Sequence, residues 1–321
     1  MALLFSTLAS GSQGNAALIQ LNQKNLLIDA GISARVLQKR LAMIGLRVSD
    51  LTEAILTHTH SDHANGTAMQ ALADHQIPFR CHPSHEQQIS AREGFLSLKE
   101  NGLVLHYGDN SFLSAVGVEI APIRLQHGAG LTFGFRINHR LSRSGMVGSI
   151  AYFADLGCWN DQLVDHFSGC GLLAMEFNHD VAMTRASGRH PMIIARNLSD
   201  DGHLSNDQAS SMLKSIIKYS CGLVPGHLVL LHISHECNTA ELALTSARNA
   251  INEITTEFVS IHAAQQNVPL EWLAVSYHKD HPSKSETHSL PVIKEAVKPI
   301  SKPIRARFRA AANQLEFAFP A

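Results

Sequence analysis

Four side chains that can bind metal ions lie within one short run of the chain, residues 57–63. They are two histidines two positions apart, then an aspartate and a third histidine: His58, His60, Asp62 and His63. On an extended segment, His58 and His60 would share one side. Neutral imidazoles with a carboxylate suit zinc, and also manganese or iron. We therefore predict a metal site here rather than a solvated histidine-rich turn.

The elements on either side of this run must position those ligands. Residues 53–57 are typical of a short strand, and residues 62–73 have the composition of a helix. Asp62 and His63 would then lie at the helix start and face a second position. Further strand-like runs occur at residues 2–7, 16–21, 25–29, 78–82, 103–106, 118–125, 131–137, 149–154, 171–176 and 227–232. Further helical patterns occur at residues 34–44, 207–219 and 240–258. This periodicity predicts a mixed α/β fold.

The composition is that of a compact enzyme. A chain of 321 residues with 45% apolar content can bury a sizeable core, as one large domain or two. Its five cysteines are odd in number and lack CxxC spacing, which favours reduced thiols in a cytoplasm. Residues 1–6 lack the basic and apolar regions of a signal peptide, and no run reaches the roughly 18 apolar residues of a membrane span. We predict a cytoplasmic protein without a membrane partner.

The composition changes near residue 279. From there to residue 309, basic residues outnumber acidic ones and prolines are frequent, which is typical of a solvated, flexible tail. We therefore predict a folded domain over residues 1–278 and a tail over residues 279–321. Near the end of the tail, Leu315, Phe317 and Phe319 alternate with other residues. An extended peptide would present all three side chains to one surface.

The run 58–63 resembles the signature of the metallo-β-lactamase superfamily, and other motifs of that family follow in the expected order. They are two aspartates that come after strands and two single histidines that come after strands: Asp29, His127, Asp155 and His232. The resemblance implies an αββα sandwich. It also implies that Asp29 braces the metal loop without binding metal.

Carried over from the family, the ligands form two sets that share one bridging residue. The implied sets are His58, His60 and His127 for the first metal, Asp62, His63 and His232 for the second, and Asp155 as the bridge. The implied cofactors are two divalent ions, zinc or manganese. The implied nucleophile is a metal-bound hydroxide, and Asp62 could also orient that water as a catalytic residue.

Four further segments resemble the YycJ/WalJ-like exonuclease branch of the superfamily: residues 10–15, 176–180, 202–207 and 232–239. The chain departs from the usual pattern at Gly128, where an aspartate is expected, and at Leu156, where a small hydroxylated residue is common. The branch implies a phosphodiesterase that removes nucleotides from DNA in the 5′-to-3′ direction. RNA is a possible alternative substrate.

Polar residues in these segments are candidates for substrate contacts: Asn178, His179, His203, Ser205, Ser234 and His235. Ser205 or its neighbour Asn206 would cap the following helix, whose free N–H groups favour a phosphate; the alternative is a capped helix alone. His203 would donate a hydrogen bond, or a proton to the leaving oxygen. Asn178 and His179 would orient the substrate or support the metal shell. For the last two candidates, phosphate binding and loop hydrogen bonding both stay open.

The end of the tail resembles the peptide by which bacterial replication and repair proteins bind the sliding clamp. The matching positions are Gln314, Leu315, Phe317 and Phe319. The glutamine would hydrogen-bond at the pocket rim while the other three enter apolar pockets. The alternative is a C-terminal strand packed on the domain. A clamp tether would keep a protein of formal net charge −1 on DNA.

Two other functions remain open from the sequence. A small-molecule hydrolase acting on a thioester or lactam predicts an enclosed apolar pocket and no salt-sensitive DNA binding. A non-catalytic, clamp-bound adaptor with a structural metal site is the other alternative. The complete ligand set argues against the adaptor, because a structural site does not keep an open position for substrate.

Overall fold

The computed structural model describes residues 2–128, 130–142 and 144–279. Within these ranges the strands are β1 (Leu3–Ala9), β2 (Ala16–Leu21), β3 (Lys24–Ile28), β4 (Leu51–Ile55), β5 (Phe79–Cys81), β6 (Val104–His106), β7 (Phe112–Leu113), β8 (Glu119–Leu125), β9 (Thr132–Leu141), β10 (Met146–Phe153), β11 (Leu172–Glu176), β12 (His227–Leu231), β13 (Ser260–Ala263), β14 (Leu273–Ala274) and β15 (Tyr277–Lys279).

The helices of the described ranges are α1 (Ala34–Met43), α2 (Gly66–Asp74), α3 (Pro83–Ile89), α4 (Glu93–Glu100), α5 (Asp161–Phe167), α6 (Val181–Ala186), α7 (Pro191–Asn197), α8 (Asn206–Tyr219) and α9 (Ala240–Asn252), with one 3₁₀ turn at Val48–Asp50. The pattern over residues 240–258 predicted a longer last helix than the structure contains. The run Ile254-Thr255-Thr256 explains the early end, because β-branched side chains lose rotamer freedom in a helix.

The strands form two sheets. The first has the order β14-β1-β2-β3-β4-β5-β6, and the second has the order β13-β12-β11-β10-β9-β8-β7, with β15 paired to β10. Strands β3 to β6 are parallel neighbours, and so are β10 to β13. Residues that follow parallel strands emerge at the same edge of a sheet, which is where open α/β sheets place their ligands. The topology therefore brings together the strand ends that carry the predicted ligands.

The hairpin between β2 and β3 shows how local sequence sets the register. Asn22 and Gln23 both have left-handed φ values, 53° and 63°. Two consecutive left-handed residues match the twist of the flanking strands in a two-residue hairpin loop. The pairing of Leu21 with Lys24 starts a ladder that ends at Ala17 and Ile28. This ladder fixes the position of the residue that follows β3.

Three apolar clusters define the layers. The cluster between the sheets contains side chains of both, for example Phe5 and Ile19 from the first and Phe135 from the second. A second cluster packs the outer face of the first sheet against α1, α2 and α4. A third packs the outer face of the second sheet against α5, α8 and α9. Helices thus cover the outside of each sheet, and the predicted αββα sandwich is confirmed.

The predicted tail over residues 279–321 lies outside the described residues apart from its first position. The boundary at residue 278 and the clamp-binding peptide with Gln314, Leu315, Phe317 and Phe319 therefore stay predictions. In the part of the chain that the structure describes, no helix has the length and hydropathy needed to cross a membrane.

One buried histidine of the fold should make stability depend on pH. His85 on α3 lies against the rings of Tyr107 and Phe133, and its Nε2 donates to the carbonyl oxygen of Leu131 at 2.9 Å. Its Nδ1 is buried and has no hydrogen-bond partner among the described residues. Burial lowers the pKa of His85 from 6.5 to about 4. A protonated ring would carry an unpaired N–H in apolar surroundings.

Because the unfolded chain titrates at the higher pKa, the stability contribution of His85 is present above pH 6.5 and is lost as the pH falls toward 4. Between pH 7 and pH 5 we expect this residue to lower the free energy of unfolding by about 2 kcal/mol. The variant His85→Gln keeps an N–H donor but does not titrate. Urea unfolding at both pH values should show a smaller pH effect in the variant. An unchanged pH effect would contradict the assignment.

Candidate metal centre

The run of predicted ligands leaves β4 and closes a tight turn before α2. The amide of Ala30, just after β3, donates to the carbonyl oxygen of His63 at 2.9 Å, and the amide of Asn65 donates to Ala30 at 2.8 Å. Because the His63 carbonyl oxygen and the Asn65 amide pair with the chain after β3, they cannot make the hydrogen bonds of a continuous helix. The helix predicted to start at Asp62 therefore begins four residues later, at Gly66. Asp62 and His63 lie in the turn and not on the helix.

Asp29 braces this turn, as the resemblance implied. Its Oδ1 accepts a hydrogen bond from the amide of Thr57 at 2.8 Å, and its Oδ2 lies 2.7 Å from Nδ1 of His63. Burial raises the pKa of Asp29, although the neighbouring His63 opposes this effect. Arg92 supports the same loop from outside by donating to the carbonyl oxygens of Thr59 and Ala64. The loop is thus held from two directions.

The three histidines predicted for the first metal lie together. One ring nitrogen from each of His58, His60 and His127 falls within 4.8 Å of the other two. Nε2 of His58 and Nδ1 of His60 are 3.0 Å apart. His127 follows β8, and its Nδ1 donates to the carbonyl oxygen of Gly202 at 2.8 Å. That bond leaves Nε2 of His127 as the nitrogen available for a metal.

The second predicted set also converges. Oδ2 of Asp62 lies 3.8 Å from Nε2 of His63 and 3.6 Å from Nε2 of His232. The His232 backbone is held by two hydrogen bonds: its amide donates to Oγ of Ser10 at 2.8 Å, and its carbonyl oxygen accepts from Nδ2 of Asn178 at 2.7 Å. Asp62 comes from the first sheet and His232 from the second, so this set spans both sheets.

Asp155 lies between the two sets. Its carboxylate oxygens are 3.5 Å from Nε2 of His58, 2.6 Å from Nε2 of His63 and 3.0 Å from Nδ1 of His232. Oδ2 of Asp155 and Nε2 of His232 are buried and make no well-oriented hydrogen bond among the described residues. A divalent cation would supply a well-oriented partner for both atoms. The donor set of imidazoles and carboxylates therefore fits divalent metal ions.

Three residues of the site share an uncommon backbone conformation. Asp29, Asp155 and His232 each follow a strand and have left-handed φ values of 62°, 56° and 54°. Such values are rare for residues other than glycine and tend to persist where the surrounding structure holds them. The turn of the backbone at each strand end directs a polar side chain into the site instead of continuing the sheet.

Buried carboxylates at this site favour the protonated form of two of its histidines, His232 and His63. Burial lowers the pKa of His232, but Asp155, Asp62 and Glu176 raise it to about 10. Burial also opposes the charge of His63, yet Asp155 and Asp29 hold its pKa well above the usual value. A bound cation would replace these protons, because a histidine ligand must be deprotonated.

Glu176 is a buried site residue that the sequence reasoning passed over. It ends β11, and its Oε1 lies 2.8 Å from Nδ1 of His203 and 3.0 Å from Nδ1 of His232. Its Oε2 accepts from the amides of Leu156 and Leu204 at 3.0 and 3.1 Å. Burial alone would raise the pKa of Glu176, but His203 and His232 lower it to about 2. The sequence did contain a pattern that could have identified Glu176, because an acidic residue at the end of an apolar strand is also the pattern that indicated Asp155.

A cavity of about 180 Å³ opens onto these residues, and apart from Gly202 its walls are polar. Its lining residues are Ser12, His60, Asp62, His127, Asp155, Arg196, Asn197, Gly202, His203 and His232. The predicted catalytic residues Asp62 and His203 both line it. The predicted ligands His58 and His63 are buried and are absent from the lining. The sequence contained no signal for Arg196 and Asn197, which lie at the end of α7.

The other predicted substrate residues are not part of this lining. Asn178 is buried and holds His232, as described above. His179 is also buried, and neither of its ring nitrogens has a hydrogen-bond partner within the described ranges. Asn178 therefore acts here as a support for a predicted ligand, and His179 lies apart from the cavity wall.

Ser205, Ser234 and His235 are likewise outside the cavity lining. Ser205 caps α8, with its Oγ accepting from the amide of Gln208 at 3.2 Å. Both Ser205 and its neighbour Asn206 are buried, so their polar atoms are used inside the fold. Ser234 Oγ accepts from the amide of Cys237 at 3.1 Å, and His235 is exposed. For Ser205 and Ser234 the contacts in the structure are those of a helix cap and a loop.

Comparison with known proteins agrees with this architecture. A family model described as "Beta-lactamase superfamily domain" matches residues 24–233. Exodeoxyribonuclease YycJ from Bacillus anthracis is 29% identical over 263 residues, which are 79% of this chain and 90% of that protein. Exodeoxyribonuclease WalJ from Streptococcus pneumoniae serotype 2 is 29% identical over 249 residues, covering 74% of this chain and 84% of that protein. The crystal structure of the metallo-beta-lactamase fold protein YhfI from Bacillus subtilis has a TM-score of 0.59 at 18% identity and covers 84% of this chain and 99% of that one. The chain belongs to the metallo-β-lactamase superfamily, in its YycJ-like branch, and is a metal-dependent hydrolase.

Proposed function

We propose that this protein is a dinuclear phosphodiesterase that degrades DNA from the 5′ end. The observation that carries the proposal is the meeting of two three-residue ligand sets at the buried carboxylate of Asp155. Two cations sharing one carboxylate suit an in-line displacement at phosphorus. The 5′-to-3′ direction is taken from the resemblance to the exonuclease branch.

The metal ions would be zinc or manganese, because imidazole and carboxylate ligands suit both. His58, His60 and His127 would hold the first, Asp62, His63 and His232 the second, and Asp155 both. When bound, the metals supply a nucleophilic water of lowered pKa and polarise the scissile phosphate. Asp62 is half-buried and lines the cavity, where it can also accept a hydrogen bond that orients the attacking water.

In this proposal His203 protonates the leaving oxygen. Its Nδ1 lies 2.8 Å from the buried carboxylate of Glu176, which would fix the orientation of the ring. Nε2 is then the ring atom that can give a proton to the leaving group. Glu176 is in turn held by two backbone amides, so the pair keeps its orientation before substrate arrives.

Two features favour a nucleic-acid substrate over a small thioester or lactam. The cavity walls are polar, whereas an enclosed apolar pocket was expected for a small-molecule hydrolase. Two relatives that align with 79% and 74% of this chain carry the name exodeoxyribonuclease. The adaptor alternative is disfavoured because an adaptor has no use for the Glu176–His203 pair.

The test is hydrolysis of DNA duplexes labelled at the 5′ or the 3′ end, with Mn²⁺ or Zn²⁺ added in turn. We expect metal-dependent shortening from the 5′ end, which also identifies the working metal. A matching RNA substrate distinguishes a ribonuclease. No cleavage of either nucleic acid would overturn the proposal in favour of the small-molecule hydrolase, and shortening from the 3′ end would overturn the direction.

A further inference from the structure

Helix α7 stands at the rim of the site and contributes little to the core. None of its seven residues is buried, and Met192 is 75% exposed. Yet its last two residues, Arg196 and Asn197, line the cavity above the predicted metal ligands. A helix that contributes no fully buried residue to the fold but reaches the site is placed to contact substrate.

The end of α7 is fixed relative to the site through Gly202. A Cβ at Gly202 would lie 2.3 Å from the carbonyl oxygen of Arg196 and 2.4 Å from that of Asn197, so only glycine permits this approach. The amide of His203 donates to the Asn197 carbonyl oxygen at 3.3 Å. The Gly202 carbonyl oxygen accepts the hydrogen bond from His127 described above. Arg196 therefore sits on a segment joined directly to two residues of the site.

A second cavity, of about 540 Å³, is also lined by Arg196. Its lining residues are Gly128, Ala195, Arg196, Ser199 and Asp201. The position of a Cβ on Gly128 would be 3.9 Å from Nη2 of Arg196 and 3.8 Å from Cε1 of His60. The guanidinium thus lies close to the first predicted metal set. The two cavities share Arg196, so one ligand could extend through both.

Arg196 is the one basic residue in the lining of this cavity, and it is exposed. Across the described residues, the Arg196 side chain makes no hydrogen bond and no ion pair. The cavity also contains an acid, Asp201, but its carboxylate accepts a hydrogen bond from Gln126 and its carbonyl oxygen accepts from the amide of Gly128. An unpaired guanidinium beside a free volume is suited to bidentate binding of a phosphate.

We infer that Arg196 binds the phosphate next to the scissile phosphate, and that the outer cavity holds the nucleotide carrying it. This inference rests on the proposed phosphodiesterase function. The subsite would make the enzyme prefer polynucleotides, which carry a neighbouring phosphate, over isolated phosphodiesters, which do not. The cavity volume lies within the range of about 300–1,000 Å³ found for small-molecule sites.

The test compares two substrates that differ in having a neighbouring phosphate. Bis(p-nitrophenyl) phosphate has a single diester, whereas a DNA oligonucleotide has a phosphate on each side of most scissile bonds. For Arg196→Ala we expect KM for the oligonucleotide to rise by about tenfold to a hundredfold, the effect of losing a charge-assisted hydrogen bond. The loss of kcat/KM should be at least tenfold larger for DNA than for the small diester.

If Arg196 had only a structural role, replacing it would not change how KM for DNA depends on salt concentration. The salt dependence of KM is therefore measured as well. The slope of log KM for DNA against log salt concentration should fall by about one in Arg196→Ala. Arg196→Lys should restore the slope but only part of the affinity, because lysine keeps the charge and loses the bidentate geometry. Arg35→Ala removes the same charge from α1, outside both cavity linings, and serves as the control.

A second pair of variants tests the subsite without touching Arg196. Ala195 on α7 is exposed and lines the outer cavity, so its side chain can be changed without altering a predicted metal ligand. Ala195→Asp would place a carboxylate in the cavity that contains the guanidinium and should raise KM for DNA more than the isosteric, neutral Ala195→Asn does. Equal effects of Asp and Asn, or equal losses on both substrates in Arg196→Ala, would overturn the inference. Failure of the unaltered protein to cleave DNA would overturn the proposed function itself.

Discussion

Replacing Asp155 with alanine is expected to abolish hydrolysis and to lower the metal content of the purified protein. The carboxylate lies within 3.5 Å of ring nitrogens from His58, His63 and His232. Residues that only support metal ligands typically cost about 10- to 100-fold when replaced, so loss of a shared ligand should exceed the upper end of that range. Mass spectrometry of bound metal and the DNA assay measure the two effects on the same sample.

The matched control is Asp161→Ala, which removes an exposed carboxylate at the start of α5. It should leave activity and metal content at the level of the unaltered protein. His60→Ala tests a ligand of one set alone and should also abolish hydrolysis while lowering the metal content. An Asp155 variant with full activity would show that the bridging residue had been assigned wrongly.

Replacing Gly31 with alanine should disrupt the metal loop without changing any polar group. A Cβ at this position would lie 1.7 Å from the carbonyl oxygen of Asp62 and 2.8 Å from the amide nitrogen of Asn15. Neither is the end of a flexible side chain, so the backbone must move. We expect destabilisation at the upper end of overpacking effects, about 3 kcal/mol or more, together with a large loss of activity because Asp62 is displaced.

Gly66→Ala provides the comparison for this prediction. Gly66 starts α2 and would place its Cβ in open space, with no atom within 4 Å. Alanine favours helix more than glycine does, so this variant should be as stable as the unaltered protein or slightly more stable. Urea unfolding and DNA hydrolysis are measured for both variants. If Gly31→Ala retained both stability and activity, the close packing of the segment after β3 against the metal loop would not matter for function.

The sequence predicted the parts of this site whose signals are local. His58, His60 and His63 follow one strand within six residues, and Asp155 and His232 come directly after apolar strands. Each signal combines a recognisable strand with a polar residue at its end. Parallel strands bring such ends to one edge, so the assembly of the site could be anticipated once the α/β class was clear.

What the sequence could not predict depends on tertiary contacts. The late start of α2 results from backbone pairing between Ala30 and residues 63–65, which competes with helix formation. The role of Arg196 depends on a cavity and on an approach to Gly128, and an exposed arginine in a helix has no local signature. The burial of Ser205 and Asn206, which the sequence left open as a phosphate site, follows from packing against a distant loop.

The predicted ligands are divided between the two sheets, and this division links the amount of folded protein to the supply of metal. A cation held by His60 and His127 would join the first sheet to the second, so it could bind tightly only after the sheets had docked. Binding to the folded state alone stabilises it by about 2.7 kcal/mol when the free ligand is at 100 times its Kd. Scarcity of metal would then shorten the lifetime of the protein as well as slow its reaction, because molecules that lose their ions would unfold and be degraded more often.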